Sequence, residues 1–83
     1  MGRHEKLVAR FERIPVDFSW EELCRPLAGF GFKKVGGAGS RYKFVRAETN
    51  RVVCLHRPHP GNIVKNYALR QVLEVLKQDG LIE

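Results

Sequence analysis

The sequence predicts an α+β domain of order α-β-β-β-α, a three-stranded antiparallel sheet with two helices on one face. Three observations predict it. A serine-led capping box opens an amphipathic stretch at Ser19, and a second amphipathic stretch follows Asn66. Between them, glycine-rich and polar turns separate three short runs of strand-forming residues. Ahead of these elements, residues 1–14 have room for one further short helix.

The elements follow in order. Ser19-Trp20-Glu21-Glu22 puts a glutamate three residues after the N-cap serine, and Trp20, Leu23, Cys24, Leu27 and Phe30 recur at helical spacing. Gly29 and Gly31 mark the end. Pro26 removes one backbone hydrogen bond inside this pattern, so either a kink or a later start is expected. Phe32 to Val35 reads as a first strand, Gly36 to Gly39 as a turn, and Ser40 to Arg46 as a second strand. Ala47 to Asn50 makes a short connection, and Arg51 to His56 a third strand. Two prolines and a glycine make Arg57 to Val64 a loop. Asn66 serves as N-cap of a last helix through Asp79, with Leu69, Val72, Leu73 and Leu76 on one face and Gly80 ending it.

Eighty-three residues allow one modest core, and 43% apolar with 29% charged residues is a globular composition. No stretch reads as a secretory signal or a membrane span. Cys24 and Cys54 are too few for a disulfide scaffold and sit among apolar neighbours, so reduced core thiols in a cytoplasmic protein are expected.

The net charge is +6, and its distribution is uneven. Residues 33–70 hold nine basic side chains against Glu48 alone, whereas the remainder carries six basic and eight acidic. Such a concentration fits a nucleic-acid footprint, the plainer alternative being a solvated basic surface. Side chains alternate along a strand, so Tyr42 and Phe44 share one face and Arg41 and Lys43 the other. An apolar pair at period two is a core pattern, which turns the aromatics toward the helices and the cations toward the open side; stacking of the aromatics on bases is the alternative. In the third strand Val52, Val53, Cys54 and Leu55 leave neither face polar, so the N-terminal segment or a protein partner is expected to cover part of it.

His56 and His59 fall where the third strand runs into the basic loop, with Pro58 and Pro60 restricting the backbone around His59. They are either a strand end and an exposed turn, or a proton-transfer pair, since imidazole suits that role near neutral pH. No recognisable zinc spacing, nucleophile motif or phosphate loop is present, so neither metal nor cofactor is expected.

Gly31-Phe32, Gly39-Ser40, His59, Lys65, Leu69-Arg70-Gln71-Val72-Leu73 and Asp79-Gly80-Leu81 together resemble the HicA toxins, in that order and spacing. The similarity covers roughly residues 19–82, dividing the chain into an N-terminal extension, 1–18, and a domain, 19–83. The resemblance implies a fold like a double-stranded-RNA-binding domain, metal-independent cleavage of mRNA, and a HicB-like antitoxin as partner. The family motif is Gly-Ser-His with a catalytic histidine, and Arg41 stands at that position here. Arginine does not lose its proton near pH 7. Either His59, with His56, takes over proton transfer, or the chain binds without turnover.

The catalytic candidates are therefore His59, His56 and Arg41, and the RNA-binding candidates Ser40, Lys43, Arg46, Arg57, Lys65 and Arg70. A non-catalytic RNA-binding domain and a basic module for an acidic protein partner are the competing readings. DNA binding is disfavoured, because the last helix has Arg70 and Lys77 as its main cations.

Overall fold

Residues 3–37 and 39–82 are described by a computed structural model; Met1, Gly2, Ala38 and Glu83 lie outside them. The order is α1 (Arg3–Glu12), α2 (Trp20–Gly29), β1 (Phe32–Gly36), β2 (Arg41–Arg46), β3 (Arg51–His56) and α3 (Asn66–Gln78). The predicted α-β-β-β-α layout is present, and residues near the N-terminus form the further helix.

The capping box at the start of α2 is formed on both sides. Ser19 Oγ accepts the Glu22 N–H at 3.1 Å, and Glu22 Oε1 accepts the Ser19 N–H at 3.0 Å. Such a cap is worth about 0.5–2 kcal/mol. Pro26 does not delay the helix: α2 starts at Trp20 and runs through to Gly29. The proline ring is fully buried, so packing offsets the hydrogen bond that it cannot donate. Helix α3 differs from expectation at its start. Its N-cap is Lys65, without a side-chain cap, and Asn66 is its first helical residue. Its end is a Schellman motif: Gly80 N–H bonds Lys77 O at 3.0 Å and Leu81 N–H bonds Leu76 O at 2.9 Å. Gly80 has φ of +72°, where a side chain would be strained.

The sheet is antiparallel in the order β1-β2-β3. Arg41 pairs with His56 at one end of β2, and Arg46 pairs with Arg51 at the other. The first hairpin turn includes Ala38, which is outside the described residues, and β2 begins at Arg41 rather than Ser40. Phe44, Val53 and Leu55 project from one sheet face into a single cluster with Leu23, Leu27, Leu69 and Val72. Each such side chain contributes about 1.5–3 kcal/mol on burial.

Helix α1 packs on α2. Phe11 and Phe18 are completely buried in the common core. Arg10 clamps the junction, its Nη1 2.5 Å from Glu22 Oε2 and its Nη2 2.8 Å from Asp17 Oδ1. The N-terminal segment therefore does not cover the open sheet face, where Val35 and Val52 stay 45% and 49% exposed. Cys54 is exposed on that face too, so it is not the core thiol that its apolar neighbours implied. Strand alternation explains the error: Val53 and Leu55 take the core face and turn Cys54 outward. Cys24 is half-buried, and burial pushes its thiol pKa up.

Candidate nucleic-acid interface

Loop 57–64 is held at both ends by backbone hydrogen bonds. Arg57 N–H bonds Ser40 O at 2.8 Å, which ties the loop to the residue before β2. At the other end, residues 62–64 run beside residues 18–20. Trp20 N–H bonds Asn62 O at 2.8 Å, Val64 N–H bonds Phe18 O at 2.8 Å, and Ser19 bridges Ile63. Val64 is buried and anchors the loop to the core. These ties fix the loop against the sheet end and the first turn of α3.

A cleft of about 340 Å³ opens between them, lined by Ser40, His56, Arg57, His59, Lys65 and Tyr67, among others. Both loop-proximal histidines thus share one groove with two cations. His56 and His59 are exposed, and among the described residues neither imidazole has a hydrogen-bond partner. The first turn of α3 contains no acidic residue. Ser40, Arg57 and His59 also line the adjoining depression beside Gly39 and Tyr42.

Arg57 is not wholly free. Its Nη2 lies 3.9 Å from Glu21 Oε1, with both side chains about half exposed. The Asn62 side-chain amide donates to the Glu21 carboxylate, and that bond, with a backbone N–H and the nearby Arg57 and Lys34 charges, holds the carboxyl pKa below its usual value. One anion therefore sits at the rim of the cationic groove.

Arg41 and Lys43 stand on the open sheet face as alternation predicts, while Phe44 is buried beneath. Three cross-strand rows make up that face: Lys33 with Val45 and Val52, Val35 with Lys43 and Cys54, and Arg41 with His56. His56 connects this face to the groove, since it also lines a second depression with Arg41, Lys43 and Cys54.

Two of the expected RNA contacts are placed elsewhere. Arg46 is at the opposite end of β2, donating through Nε to Phe30 O at 2.8 Å and pairing with Glu48 at 3.0 Å. Arg70 is exposed on α3 outside the groove lining. In turn, the structure adds Tyr67 and Ile63, which sequence reasoning did not single out. The available signal was an aromatic off the apolar stripe of the last helix, two residues after Lys65.

The family model of the HicA toxin of bacterial toxin–antitoxin systems matches residues 20–81. The chain belongs to the HicA toxin family. Membership makes it a toxin of a toxin–antitoxin pair and implies a HicB-like antitoxin as its partner. The match takes in α2, the sheet and α3, with α1 and Phe18 preceding it. No curated protein and no solved structure matches the chain. Among the described residues, no helix is long and apolar enough to cross a membrane, and no three or more His, Cys, Asp or Glu side chains are grouped to hold a metal ion.

Proposed function

We propose that this HicA-family chain acts in the cytoplasm as an RNA-binding endoribonuclease, cutting mRNA in the Ser40–His59–Lys65 groove without a metal. The observation that carries this reading is the meeting of His56 and His59 with Arg57 and Lys65 along one cleft. Cleavage that uses the ribose as its own nucleophile needs little else. A base takes the proton from the 2′-hydroxyl, and O2′ attacks the adjacent phosphorus. The P–O5′ bond breaks, and an acid returns a proton to the leaving oxygen. The products are a 2′,3′-cyclic phosphate and a free 5′-hydroxyl. His59 and His56 serve as the base and acid, while Arg57 and Lys65 stabilise the charge that builds on the phosphorane. Arg41, opposite His56, and Lys43 extend the positive field along the open sheet face for the flanking strand. A HicB-like antitoxin silences the toxin by covering this basic surface.

Replacing His59 by alanine should lower cleavage of a labelled mRNA, in the presence of chelator, by about 10²–10⁴-fold while leaving RNA affinity intact. Unchanged cleavage by a folded His59→Ala protein, or a need for added divalent metal, overturns the assignment. One observation favours the non-catalytic RNA-binding reading: among the described residues neither histidine is oriented by a carboxylate, and Arg41 follows Gly39-Ser40 where the family motif places histidine. That reading predicts tight binding with no cleavage products.

A further inference from the structure

Tyr67 is 65% exposed in the first turn of α3, and Ile63 is 48% exposed in the anchored loop. Neither belongs to the core, whose α3 contribution is Leu69, Val72 and Leu76. Among the described residues, no aromatic partner or hydrogen bond engages the Tyr67 ring. Yet both side chains line the same cleft as His59 and Lys65. Singly exposed apolar residues are ordinary on a protein surface. Here an aromatic ring and a branched aliphatic flank a groove that holds both histidines, which calls for an occupant with a flat apolar face and an attached anion.

We propose that Tyr67, backed by Ile63, is a nucleobase subsite: the base next to the scissile phosphate stacks on the phenol ring while Lys65 and Arg57 hold its phosphates. This rests on the RNA-cleaving reading and adds to it the way in which the strand is held. A nucleotide of single-stranded RNA supplies the required pairing of π-face and negative charge. Duplex RNA does not, because its bases are stacked on each other. Every base has a π-face, so the shelf gives position along the strand with little sequence preference.

The test uses the full chain and a short single-stranded RNA carrying 2′-fluoro sugars, which lacks the nucleophilic hydroxyl and stays intact during binding. An abasic residue is placed at each position in turn, and cleavage of the unmodified RNA is followed in parallel. Tyr67→Ala should weaken binding by about 5- to 150-fold, and Tyr67→Phe should bind like the unsubstituted protein. One abasic position should penalise the unsubstituted protein and Tyr67→Phe but not Tyr67→Ala. Equal affinity of Tyr67→Ala overturns the subsite. So does a loss that adds to the abasic penalty at every position, or a loss confined to affinity for a HicB-like antitoxin. If the unsubstituted protein neither binds nor cleaves RNA, the RNA reading itself fails and the subsite with it.

Discussion

At the scale of single residues, Glu21 sets the electrostatic limit of the groove. It is ionised, hydrogen-bonded by Asn62, and close enough to Arg57 to compete with a phosphate for that guanidinium. An exposed pair of this kind is weak, because solvent screens both charges. Glu21→Gln keeps an acceptor for Asn62 and removes the charge, so RNA affinity at low salt should rise by roughly two- to fivefold. A titration showing no gain would mean that Arg57 does not meet the RNA backbone. The histidine candidates were visible as residue types, since His59 between two prolines and His56 at the strand end both adjoin a basic loop. Their meeting with Ser40 and Lys65 was not. It depends on the Arg57–Ser40 and Val64–Phe18 hydrogen bonds, which join backbone groups and leave no mark on side-chain pattern. Arg46 shows the opposite failure: it resembles its neighbours in sequence, but register puts it at the far end of the strand, engaged with Phe30 and Glu48.

At the scale of elements, the strands and the core stripes of α2 and α3 were legible because period two and period 3.6 are written directly in the apolar residues. Cap identity was less so. Asn66 has the right chemistry for an N-cap, but the chain enters α3 one residue earlier, at Lys65. No local pattern announces the junction between β3 and the end of α3, where Arg51 pairs with Asp79 at 2.6 Å. The Arg51 guanidinium holds the Asp79 carboxyl below its ordinary pKa. A depressed carboxylate contributes stability that is complete above its unfolded pKa, about 4, and is lost as pH falls through the folded value. Asp79→Asn should therefore melt at a lower temperature near neutral pH, with the gap from the unsubstituted protein closing on acidification below about pH 4. A gap that stays constant across that window would show that the ion pair does not contribute in the expected way.

At the scale of the molecule, the fold separates three tasks. Helices α2 and α3 cover one sheet face, α1 adds Phe11 to the same core, and Lys33, Arg41, Lys43, Arg57 and Lys65 are left on the open face and at the end of the sheet beside α3. The uneven charge along the chain was thus a sound guide to a cation-rich surface, but composition could not say that two histidines share a cleft with Arg57 and Lys65 at one end of it. The proposed function requires that RNA be both held and cut at that end. The most direct measurement incubates the purified chain with an end-labelled mRNA in excess chelator and identifies the termini of the products. The proposed function gives fragments ending in a 2′,3′-cyclic phosphate and beginning with a 5′-hydroxyl. RNA that is bound but uncut, or fragments that begin with a 5′-phosphate, would contradict it.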